Sequence, residues 1–200
     1  MPRPRPAPPF ALAAVAGALV LATSLVAFAL DRRGLRIFDA EGEWSWSHLL
    51  STAAFGAGVV IALFHAREPE PRGRRWQVVG LLFGVLLVDN VTRLHTHTSL
   101  WPAFYAPLLI GLGTTIWRLA RDTDEAMVMV GGLAILCLSL TFHVVGPHVV
   151  HALGASSGGW AYQIKASLKE STELAGWTLV VPGLWRLPRG RQAVALEAHA

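Results

Sequence analysis

Long apolar runs alternate with short segments rich in charge, proline or glycine along this chain. A helix crosses the hydrocarbon core of a bilayer with about 20 mostly apolar residues. Phe10–Leu30 meets that requirement with no ionisable group. Five further runs are long enough: His48–Ala66, Trp76 to about His97, Trp101–Leu119, Ala126 to about Leu153, and Trp160–Leu187. The pattern predicts an all-α, polytopic membrane helix bundle of six transmembrane helices over residues 10–187. The remaining segments, 1–9 and 188–200, read as disordered tails. Five helices remain if the first run, which ends in Ala27-Phe28-Ala29, is a cleaved signal. Its apolar stretch exceeds the roughly 7–15 residues usual for such a segment.

Basic residues set the orientation, because cytoplasmic loops of membrane proteins are enriched in Lys and Arg. With the N-terminus inside, the inner segments hold eleven arginines, including Arg3, Arg67, Arg75, Arg118 and Arg186. The outer segments hold three: Arg32, Arg33 and Arg36. Tryptophan prefers both interfaces, and Trp44, Trp46, Trp101 and Trp160 fall at outer ends while Trp76, Trp117 and Trp185 fall at inner ends. Both signals imply an inner (plasma) membrane protein with both termini cytoplasmic.

Composition agrees. The chain is 53% hydrophobic and 15% charged, against roughly 25% charged in soluble domains. The net charge of +4 comes from arginines in short loops, so it signals topology and no nucleic-acid partner is expected. The single cysteine, Cys137, excludes an intrachain disulfide and reads as a small buried hydrophobe.

Chemistry enters where polar residues interrupt the spans. An ionisable side chain inside a bilayer costs at least a few kcal/mol, about 2.5 or more, and is a functional candidate by default. Span three contains Asp89, Asn90, Arg93, His95 and His97; span five contains His143, His148 and His151; span six contains Lys165, Lys169, Glu170 and Glu173. With the orientation above, Asp89, His143, Glu170 and Glu173 share a depth of roughly 13–20 Å below the outer surface, at 1.5 Å per residue. Glu170 and Glu173 share a helix face. Two carboxylates on one face need protonation, a lysine or a cation, and Lys169, four residues before Glu173, is the structural partner at hand. Asp89 and Arg93 can likewise form an ion pair, and Lys165 and His97 can reach the outer interface. Pro147 removes an N–H from span five and predicts a kink within its polar stretch.

Several of these residues carry a resemblance. Asp89-Asn90-Val91-Thr92-Arg93-Leu94-His95-Thr96 and Lys169-Glu170-Ser171-Thr172-Glu173-Leu174-Ala175-Gly176, with Leu100–Pro107 between them, resemble motifs of an uncharacterised group of bacterial polytopic membrane proteins. That group carries Asp-Glu, then Leu-His-Glu, and finally Glu-Glu-x-x-Glu-Met-x-Gly. Asn90, Thr96 and Lys169 depart from its acids. If the group binds a metal through carboxylates, the resemblance implies a site here with more imidazoles, suited to Zn, Fe or Cu.

Four functions compete. The first is a metal-dependent membrane enzyme acting on a lipid or apolar substrate, with His95, His143, His148 and His151 as metal ligands and Glu170, Glu173 and Asp89 catalytic. The second is a proton- or cation-coupled transporter using the same acids. The third is haem binding for electron transfer, and the fourth an accessory subunit that pairs with a membrane-protein partner. No phosphate loop, HExxH or nucleophile elbow is present.

Overall fold

The computed structural model describes residues 9–30, 37–38, 45–93, 101–156 and 159–197. Among them the chain forms six α-helices and no strand: α1 (Pro9–Leu30), α2 (Trp46–His65), α3 (Arg72–Thr92), α4 (Trp101–Ala120), α5 (Ala126–Ala152) and α6 (Trp160–Glu197). The first five are each long and apolar enough to cross a membrane.

α6 carries the charges, yet it lies antiparallel to α5 over the same length. The stem of Lys165 runs beside Gly146, and Ser139 Oγ donates to the Lys169 carbonyl at 3.0 Å. Further along, Gly176 meets Leu136 and Gly132, and Gly183 meets Met129. From Lys165 to Gly183 the axis rises about 27 Å at 1.5 Å per residue, enough to traverse the apolar layer that α5 spans. α6 is also the hub. It packs against α5, α1, α2 and α4, while α2, α3, α4 and α5 follow one another around it.

The packing rests on small residues, which let helices approach in an apolar solvent where hydrophobicity alone does not drive association. α1 buries Ala13, Gly17, Val20, Ser24 and Ala27 on one face, and a Cβ on Gly17 would lie 3.1 Å from the Ser171 carbonyl oxygen. Its other faces expose Leu12, Val15, Leu19 and Val26. Such an apolar exterior suits lipid contact and not water.

Three boundaries and positions differ from expectation. α3 ends at Thr92, where Arg93 adopts a left-handed conformation (φ 56°) and its N–H closes on the Asp89 carbonyl at 2.6 Å. His95 and His97, expected at the end of span three, lie outside the described residues. α6 continues past Leu187 to Glu197. Cys137 is exposed on α5; a small apolar thiol is as compatible with a lipid-facing surface as with a core. Pro147 lies inside α5, which continues through it to Ala152.

Candidate functional site

α2 begins with a serine cap: Ser45 Oγ accepts the His48 N–H at 3.3 Å, as N-cap side chains do for orphan amides. That start places Ser47, buried and 3.0 Å from Ser45 by its hydroxyl, against α6. There Ser47 comes close to the Glu170 carboxylate. Lys169 Nζ lies 2.7 Å from Glu170 Oε1 and 3.4 Å from Glu173 Oε2. One lysine therefore serves two carboxylates.

The cluster extends to α3 and α4. Asp89, only 4% exposed, sits in the last turn of α3, and its Oδ2 accepts a hydrogen bond from the Tyr105 hydroxyl in the second turn of α4. The charge of Glu173 also reaches that hydroxyl. One residue beyond Asp89, Asn90 Nδ2 donates to Thr52 Oγ1 at 2.7 Å, and Thr52 in turn donates to the His48 carbonyl at 2.8 Å. The polar groups thus form a belt across α2, α3, α4 and α6: Ser47, Glu170, Lys169, Glu173, Tyr105 and Asp89.

Apolar packing closes the bundle on the side of the belt toward the α2–α3 turn. Phe55, Phe83 and Trp177 meet there, with Phe55 edge-on to Trp177 at 5.0 Å and Phe83 at 5.5 Å from it. Past them lie Val79, Trp76, Met129 and Leu184, all fully buried.

The three carboxylates singled out from sequence, Asp89, Glu170 and Glu173, come to this belt. The histidines proposed as metal ligands are placed as follows. His148 and His151 are exposed on α5, His143 is half-buried there, and His95 lies outside the described residues. Among the described residues no three His, Cys, Asp or Glu side chains are placed to hold a metal ion. Sequence reasoning missed Tyr105 and Ser47. Tyr105 lies in a span with no ionisable group in its middle, and the signals available were its place in the Leu100–Pro107 segment and a polar hydroxyl at the depth of Asp89.

The Tyr105–Asp89 contact makes a direct prediction. Tyr105→Phe should cost about 1.5–3 kcal/mol, the worth of a hydrogen bond to a charged group. Adding Asp89→Asn should recover part of it, since neighbours in one network are not additive. A double-mutant cycle read by detergent-induced unfolding measures the coupling; simple additivity would contradict the assigned pair.

No curated protein and no solved structure matches the chain significantly. A family model does match residues 10–187, a stretch that includes every residue of the belt, and the chain belongs to that family, described as a domain of unknown function (DUF8692).

Proposed function

We propose that this protein is a proton-coupled membrane transporter in which Glu170, Glu173 and Asp89 bind and release the coupling proton. The observation that carries this reading is the sharing of Lys169 Nζ between Glu170 and Glu173. A lysine neutralises one carboxylate. The second must take a proton or another cation to remain in a site of low polarity. Proton occupancy is then the natural variable of the site, and Tyr105 offers an O–H, bonded to Asp89 and reached by the charge of Glu173, for passing it on.

The arginine distribution supports both termini inside the cell, which puts the belt in the outer half of the membrane. The aromatic group of Phe55, Phe83 and Trp177 would separate it from the cytoplasm and would have to shift during transport. A reporter fused in the 154–159 loop should report the outside; a cytoplasmic signal would invert the assignment.

The test is proton movement into liposomes containing the purified protein, driven by a potassium diffusion potential and read by an internal pH dye. Glu173→Gln should lower the protein-dependent rate at least tenfold, a change of about 1.4 kcal/mol or more in barrier. Lys169→Arg should retain most of it. A rate unaffected by Glu173→Gln would reject this function. Stoichiometric Zn, Fe or Cu in the purified protein would instead favour the metal-dependent enzyme built on His95, His143, His148 and His151, and a Soret band would favour haem.

A further inference from the structure

Beside Glu173 the α2–α6 seam holds polar atoms that the acid belt does not use. Ser51 is 2% exposed and Trp177 3% exposed. Neither Ser51 Oγ nor Trp177 Nε1 has a hydrogen-bond partner among the described residues. Several hydroxyls of the bundle bond their own backbone, Thr23, Thr92, Thr141 and Thr172 each donating to the carbonyl four residues earlier, whereas Ser24, Ser167 and Ser51 have no partner among the described residues. Ser51 forgoes that bond, so its hydroxyl is left for something else.

Register brings the two atoms to one stretch of the seam. α2 and α6 run in the same direction, because Ser47 meets Glu170 and Phe55 meets Trp177. Ser51 is midway between Ser47 and Phe55 and shares their buried face. It is therefore level with Glu173 and Leu174. Trp177 follows Glu173 by four residues on the same face of α6. Register therefore brings Ser51, Glu173 and Trp177 to one stretch of the seam, with the Phe55 and Phe83 rings packed against Trp177.

The donor and acceptor inventory defines what fits. An indole N–H only donates, a carboxylate that has released its proton only accepts, and a serine hydroxyl does both. A guest that joins the first two must accept one hydrogen bond and donate another. A hydroxyl does this, and three polar partners match the two to four that a buried water usually has. We infer that Ser51, Glu173 and Trp177 form a binding position for a hydroxyl-bearing guest, water or a small alcohol, which extends the proton path about 6 Å, one turn of α6, past Glu173.

This rests on the proton-handling reading of Glu173, but its test does not need transport. Infrared difference spectra of the purified protein between neutral and acid pH would be recorded in ordinary water and in water labelled with oxygen-18. A weakly bonded O–H stretch is expected that Ser51→Ala removes and Ser51→Thr restores, with the circular dichroism of the helices unchanged. A shift of that band with oxygen-18 identifies water. A band insensitive to labelled water, but shifted by glycerol or ethanol labelled with oxygen-18, identifies an alcohol; a band insensitive to both is the Ser51 hydroxyl itself and overturns the proposal. A spectrum in which Ser51→Ala alters no O–H band overturns the proposal, even if Glu173→Gln abolishes proton flux. Conversely, a Ser51-dependent band that answers to either label, in a protein whose flux ignores Glu173→Gln, keeps this position and rejects the transporter.

Discussion

Lys169→Met should lower the unfolding free energy by about 3–5 kcal/mol, the range for removing one partner from a buried ion pair. The substitution keeps the length of the side chain and deletes its charge. Glu170 and Glu173 then face each other without the ammonium that lies 2.7 and 3.4 Å from them. At about 5.5 Å, the usual spacing of such helix neighbours, two negative charges repel by about 3 kcal/mol at an effective dielectric constant of 20. Glu170 and Glu173 keep 12% and 20% exposure, which favours the lower end of the range. Adding Glu170→Gln should return most of the loss, and Lys169→Arg alone should cost far less. Unfolding by SDS titration, or a melting curve in mild detergent, reads all four proteins. A Lys169→Met protein as stable as the parent would mean that the two acids are not held by this lysine.

The second large effect is steric. A Cβ on Gly132 would come within 3.0 Å of the Gly176 carbonyl oxygen and 2.9 Å of Leu179 Cβ. A Cβ on Gly176 would lie 3.0 Å from the Gly132 carbonyl in return. The two glycines mark a point where α5 and α6 approach closely, backbone against backbone. Gly132→Leu or Gly176→Leu should push the helices apart and cost about 3 kcal/mol, the upper part of the usual range for overpacking. Gly84→Leu is the control. A Cβ there meets nothing within 4 Å, and the change should stay within about 0.5 kcal/mol. Gel filtration and thermal melting of the three proteins in one detergent separate the cases. Equal behaviour would show that the α5–α6 contact is looser than its glycines imply.

The spans were legible because length and apolarity are what a bilayer demands, whatever packs inside it. The rotation of each span was not. In water an amphipathic stripe marks the buried face of a helix, but in lipid both faces are apolar. His148 and His151 illustrate this. Their spacing gives them one face, and only tertiary packing shows that they are exposed on α5. Glu170, Glu173 and Asp89 were easier to place, since burying charge in lipid is costly enough that such groups turn toward the protein interior. Tyr105 escaped notice because a phenol in an apolar run is as easily an interfacial or packing residue as a hydrogen-bond donor. The end of α3 at Thr92 was equally hidden, because it depends on Arg93 taking a backbone conformation that is uncommon for a residue other than glycine.

The position of α6 at the centre of the bundle carries a consequence for biogenesis. It leaves the ribosome after α1–α5, and it is the helix against which α1, α2 and α5 all rest. Until it arrives, the small-residue face of α1 has no mate. When it does arrive, its lysines and glutamates would be expensive to release into bare lipid one segment at a time. Insertion should therefore wait on a cleft already formed by its predecessors, so that the charged helix passes from the insertion machinery into protein and not into the hydrocarbon. Chains halted just before Trp160 should accumulate as proteolytically fragile species, and supplying α6 as a separate peptide during synthesis should protect them.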